Sequence, residues 1–190
     1  MIAIQTHRTR VARLLLSAGL IAALAACGGK TPAQLAGDEL NAGLAASAQG
    51  NTDQAAAHYK ACLQHESLNK FCIYNLGVIA QNAGRSLEAE NDYRLALLVD
   101  PDFGVALYNL AIIRSGAGSI DEAIALYRHA IEVDPKNAGA HLNLGLLLRS
   151  NGHVAEGEKE LAKAKELNPN IVIPTFEPAP TPAPTPSPTP

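Results

Sequence analysis

His58, Cys62 and His65 stand at i, i+4 and i+7, a spacing that turns three metal-ligating side chains toward one side of a helix, with Cys72 available as a fourth ligand. Those four residues could hold a metal or support thiol redox chemistry. The spacing is not one of the compact metal-finger patterns, and coincidence of helical period is the competing reading. His129, His141 and His153 are scattered along the chain and read as solvated or packing residues. No nucleophile elbow, His-Glu-x-x-His pair or phosphate-cradling glycine loop occurs, so catalysis and a cofactor are not expected. The other set with distinctive chemistry is Asn41, Asn75, Asn109 and Asn143. A side-chain amide carries both donor and acceptor, so it can pair with a peptide backbone of any sequence or bond locally within its own helix.

The asparagines are 34 residues apart, and the rest of the chain keeps the same interval. Glycine recurs at Gly50, Gly84, Gly118 and Gly152, and an aromatic at Tyr59, Tyr93 and Tyr127, with Leu161 in the fourth copy. Small residues recur at Ala55, Ala89, Ala123 and Gly157, and again at Cys62, Ala96, Ala130 and Ala164, and the last three copies end in Pro101, Pro135 and Pro169. A 34-residue unit with Leu-Gly early, Ala and Tyr later and Pro at its end resembles the tetratricopeptide repeat. The resemblance covers residues 36–171 as four units, 36–69, 70–103, 104–137 and 138–171. It implies an all-α chain, a right-handed α-solenoid of helix-turn-helix pairs, with helices near 36–49, 52–65, 70–82, 86–98, 104–116, 120–132, 138–150 and 154–166. Each unit leaves an apolar stripe that only stacking can bury. Asn51 with Gln54, and Ser119 with Glu122, read as capping boxes at second helices.

In this family the first helices line a concave face. The resemblance therefore places Asn41, Asn75, Asn109 and Asn143 in a groove, flanked by Leu40, Tyr74, Tyr108 and Leu142 and by Leu44, Val78, Ile112 and Leu146. The expected ligand is an extended segment of a partner protein. Arg149 is the only basic residue among these places, so the carboxylate clamp of some relatives is not expected. The first unit matches least well, with Ala42 where leucine stands elsewhere and Ser67 where proline stands. The architecture brings Cys62 and Cys72 together, and in an exported chain they are expected to form a disulfide.

The ends are different in kind. Met1–Arg13 is basic, and Leu14–Ala26 is a weakly polar to apolar run too short to span a bilayer but suited to a secretory leader. Leu24-Ala25-Ala26-Cys27 resembles a bacterial lipobox, which implies cleavage after residue 26 and lipid on Cys27, palmitate included. Gly28 in place of Asp favours the outer membrane, facing the periplasm. Residues 27–35 would form a lipidated tether. Residues 172–190 are expected to be a Pro-rich disordered tail; from Pro174 on, eight of 17 residues are proline, an extended composition that can reach about 53 Å. Without the three leader arginines the chain holds 12 basic and 18 acidic residues, a formal charge of −6, and no basic stripe suits nucleic acid. The layout is similar to that of tetratricopeptide lipoproteins that assist pilus and secretin assembly.

Overall fold

The computed structural model describes residues 29–174. The leader, Cys27 and the tail past Pro174 lie outside the described residues. Eight helices run through the described part: α1 (Pro32–Ala48), α2 (Thr52–His65), α3 (Lys70–Asn82), α4 (Ser86–Val99), α5 (Gly104–Gly116), α6 (Ile120–Val133), α7 (Ala138–Ser150) and α8 (Val154–Leu167). Each odd-numbered helix packs along the even-numbered helix that follows it, and each even one hands on to the next pair. The result is a solenoid, with no helix among the described residues long and apolar enough to cross a membrane.

The 34-residue spacing turns into geometry at the turns. Gly50, Gly84, Gly118 and Gly152 all take φ between 73° and 85°, the left-handed region that costs glycine least. After each, the next backbone N–H returns to the last turn of the first helix, as from Asn51 to the Ala46 carbonyl (2.9 Å) and from Ser119 to that of Arg114 (2.9 Å), closing the helix end with its own backbone. This turn also overrides the expected capping boxes. Asn51 and Ser119 have ψ near 70° and make no side-chain cap, because that backbone does not aim the side chain at the third N–H. The Ser119 hydroxyl instead accepts from the Arg114 guanidinium at 2.6 Å.

Side-chain caps belong to first helices. Asn69 accepts from the N–H groups of Phe71 and Cys72, and Asn137 from that of Ala140. Thr31 and Gln34 form a reciprocal box in front of Pro32. With proline preset for the first helical position, α1 starts at Pro32, inside the stretch expected to be tether.

Small residues decide how near the helices come. Ala55, Ala89 and Ala123 are fully buried, as are Ala96, Cys62 and Ala164. At Gly77 an added Cβ would sit 2.8 Å from the Tyr93 ring, so glycine there makes room for the aromatic. Where the first unit, the most degenerate copy of the repeat, meets the second, Cys62 of α2 and Cys72 of α3 are joined by a disulfide with Cα atoms 6.5 Å apart.

Candidate functional site

Hydrogen bonds between alternate helices define the face on which any partner would act. The Asn109 amide of α5 donates to the Tyr74 hydroxyl of α3 at 3.1 Å and to the Tyr93 hydroxyl at 3.4 Å. The Asn143 amide of α7 donates to the Tyr108 hydroxyl of α5 at 3.2 Å. First helices of successive units are thus neighbours on one face, held by an amide of one unit and a phenol of the previous one. Asn75 behaves differently: its amide donates to the Phe71 carbonyl in its own helix at 2.7 Å. Asn41, in the terminal unit, is exposed. At three of the four places, then, the amide spends a donor inside the solenoid. An amide has two N–H groups and a carbonyl, so even Asn109, with two donations, keeps its carbonyl oxygen as an acceptor for a ligand.

Around the amides the face is apolar and aromatic. Tyr74, Val78, Tyr108, Ile112 and Leu146 are half-buried, while Leu44, Phe71 and Val105 keep close to half their surface exposed. Phe103 packs edge-on against Phe71 (5.5 Å between centroids) and Tyr74 (5.3 Å), and the Lys70 ammonium lies 5.0 and 5.1 Å from the centroids of Phe71 and Phe103. Lys70 also pairs with Asp100. This edge cluster escapes a reading by repeat period because the fourth unit has Gly139 where Phe71 stands, and Asn69 and Asn137 occupy the places corresponding to Phe103. Its visible signal is that Phe71 and Phe103 are the only phenylalanines before residue 176.

Toward the last unit the face deepens into a cavity of about 510 Å³ lined by Ile112, Tyr127, Asn143, Leu146, Leu147 and Arg149, with Ser115 and Ser150 at its edge. Burial pushes the Tyr127 phenol up to about 12, reinforced by Tyr108 and opposed by its bond to Asn143. Tyr127 is therefore a neutral hydroxyl at any physiological pH. Arg149, the one basic residue of the groove places, donates to the Pro174 carbonyl at 2.8 Å and lies 3.5 Å from Glu158. The segment after α8 is thus held to the last unit. Lys165 donates to the Ile171 carbonyl at 2.8 Å, and Ile171, the last residue of the expected fourth unit, and Ile173, near the start of the expected tail, are half-buried.

The four residues of the metal or redox reading do not converge as ligands. Cys62 and Cys72 spend their sulfurs on each other, His58 pairs with Glu39 at 2.7 Å, and His65 is exposed at the end of α2. Among the described residues no cluster of His, Cys, Asp or Glu could hold a metal ion. The helical spacing was met, but α3 brings Cys72 to Cys62 as a covalent partner. His141, read as a packing or solvated residue, is buried with Nδ1 2.6 Å from Glu160 and Nε2 3.2 Å from the Pro135 carbonyl. His129 lies 2.8 Å from Asp102, and His153 is exposed.

Comparison with known proteins agrees with this architecture. A TPR repeat family model matches residues 117–152, and a tetratricopeptide repeat model matches 72–103 and 138–171. No curated protein matches the chain by sequence. Among solved structures, MamA from Desulfovibrio magneticus RS-1 superposes with a TM-score of 0.62 at 21% identity, over 70% of this chain and 76% of that one. PilF of Pseudomonas aeruginosa gives 0.66 at 22%, over 74% of this chain and 64% of that one. YrrB, described as a TPR protein with an unusual peptide-binding site, gives 0.62 at 21%, over 69% and 68%. At such identities the likeness is one of fold. Taken with the 34-residue period, the glycine turns and the paired helices, these matches identify the chain as a tetratricopeptide repeat protein.

Proposed function

We propose that this protein is a non-enzymatic scaffold, anchored by lipid on Cys27 at the periplasmic side of the bacterial outer membrane, that captures an extended segment of a partner protein along its first-helix face. The observation that carries the reading is the continuous strip of half-exposed apolar and aromatic side chains, from Leu44 through Phe71 and Val105 to Leu146, beside amides that retain bonding capacity. Apolar pockets with a few fixed polar groups suit segment binding, in which pockets select side chains and amides hold the backbone. The anchor is supported by the lipobox-like Leu24-Ala25-Ala26-Cys27. Because α1 begins at Pro32, only four residues separate Cys27 from the first helix, a reach of about 15 Å at most. The groove then works close to the bilayer. Leader, cysteine, short tether and stacked repeats together make up the layout of pilus and secretin assembly lipoproteins, and we place the protein among them; the Pro-Thr tail is no part of that layout.

One experiment with three arms tests this. Partners are captured from crosslinked envelopes with the wild-type protein, with Phe71→Glu plus Val105→Glu, and with Cys27→Ala. The groove variant should lose the partner while keeping its helicity, whereas unchanged capture would overturn the scaffold reading. Cys27→Ala should leave the membrane fraction, and retention there at high salt would overturn the anchor. A captured secretin or pilin component is expected; an unrelated envelope partner would reject the pilus role alone.

A further inference from the structure

We propose that the edge of the solenoid formed by the turns between units rests on a lipid surface, with Leu68 and Leu98 seated among the headgroups and upper acyl chains. Those turns lie side by side. Lys70 beside the first turn pairs with Asp100 of the second, Phe71 packs against Phe103, and Asp102 of the second turn meets His129 in the last turns of α6. The glycine turns form the opposite edge. On the edge between units, two leucines break the repeat. Leu68 is 59% exposed where the other copies place Asp102, Lys136 and Asn170, and Leu98 is 80% exposed where they place Gln64, Glu132 and Glu166. Packing inside the solenoid does not account for either, because both side chains stand largely in water. The carboxylates of these first two turns are engaged: Asp100 with Lys70, Asp102 with His129, and Glu66 with the Asn69 amide, which donates to it at 2.7 Å. The later turns carry Glu132, Asp134, Lys136 and Glu166 instead, which confines the apolar contact to the first two units.

What selects a lipid surface is where the described chain begins. Ala36, near the start of α1, packs with Cys62 and Cys72, so the chain enters the solenoid at this same edge and at the first unit boundary. An anchor ahead of Gly29 therefore holds this edge nearest the bilayer. The glycine turns stand off by the length of α1, 17 residues, or about 25 Å at ~1.5 Å per residue. Insertion of the leucines in a tethered chain is an intramolecular step, so a small apolar area suffices. Exposed apolar patches mark membrane contacts as well as protein ones, and the charged residues at the matching places of later units disfavour a protein partner running along the whole edge. With the chain so placed, the helices rise from the bilayer and the first-helix face stands upright, open to a partner segment from the side. The choice of a lipid surface rests on the anchor proposed at Cys27, and an artificial tether separates the two.

The chain contains no tryptophan, so Leu68→Trp, Leu98→Trp and Leu87→Trp each place a single indole. Leu87, 74% exposed at the start of α4, reports on the glycine-turn edge. Each substitution is made in the chain from residue 27 on, with Cys27→Ala and an amino-terminal histidine tag standing in for the lipid. The tagged chains are bound to phosphatidylcholine vesicles that contain nickel-chelating lipid and brominated acyl chains. Bromine should quench the indoles of Leu68→Trp and Leu98→Trp severalfold more strongly than that of Leu87→Trp, and their emission should move to shorter wavelength on binding. Adding Leu98→Glu to Leu68→Trp should weaken the quenching with circular dichroism unchanged. Equal quenching at the two edges, or none at Leu68→Trp and Leu98→Trp in the folded, tethered chain, would overturn the proposal. So would a short-wavelength emission present without vesicles and lost on dilution, which would assign this edge to a second copy of the chain. Quenching confined to the two leucine places upholds the docking edge whatever becomes of the lipid on Cys27, because that lipid is read separately from membrane retention of the Cys27→Ala chain.

Discussion

At the residue scale, the asparagine ladder shows how one residue type at one repeat place takes on different work. Asn109 and Asn143 tie first helices of adjacent units, whereas Asn75 bonds within its own helix. Losing a neutral hydrogen bond costs about 1 kcal/mol. Asn109→Ala should therefore lower the urea midpoint by that equivalent, while Asn75→Ala should change it little; equal losses would contradict the assignment. Another cross-unit link, the cluster of Arg94, Arg114, Glu90 and Glu122, has Glu122 contacting Arg94 at 2.6 Å and Arg114 at 2.8 Å. The Arg94 guanidinium first, then Arg114, holds the Glu122 carboxyl below its ordinary value of 4.5. A depressed folded pKa means this contribution is full above 4.5 and fades as pH falls from there through the folded value. Glu122→Gln should accordingly lower stability above pH 6 and leave it unchanged well below the folded value, so that the acid limb of a stability-pH profile is flatter. An acid limb that keeps its slope would argue against it. Neither link is legible in the sequence, because Tyr74 and Asn109 are 35 residues apart and no local pattern pairs them. The period places the asparagines on one face; it does not say what each amide bonds.

At the element scale the sequence is read far more completely. Glycine at a fixed step predicts the turns, the small residues predict which helix faces touch, and seven of the eight helices begin and end within a residue of expectation. The exception, α1, starts early because Thr31, Pro32 and Gln34 form a start signal that the repeat period does not contain. The missed caps at Asn51 and Ser119 have the same origin in reverse: a motif was present, but the glycine turn before it had already set the backbone. The disulfide belongs to this scale too, since it joins α2 to α3 across the weakest unit boundary. A bridge closing a loop of this size stabilises by about 3 kcal/mol in the chain-entropy model. Cys62→Ser should therefore raise amide hydrogen exchange in α1 and α2 well before α5 to α8 respond. Uniform acceleration along the chain would show that the first unit does not depend on the bridge.

For the whole molecule, stacking produces one face with apolar, aromatic and amide groups in a row, and an opposite face built from second helices. Both faces expose apolar side chains, so exposure alone does not identify a site: Leu98 on α4 is 80% exposed and Val105 on α5 is 46% exposed. What distinguishes the first-helix face is continuity across units, from Leu44 to the cavity beside Arg149. The most direct measurement is site-specific photocrosslinking in intact cells, with a photoreactive residue placed at Val105 in one strain and at Leu98 in another. Capture along the first-helix face predicts a discrete partner adduct from Val105 and none from Leu98. An adduct from Leu98 with none from Val105 would contradict it.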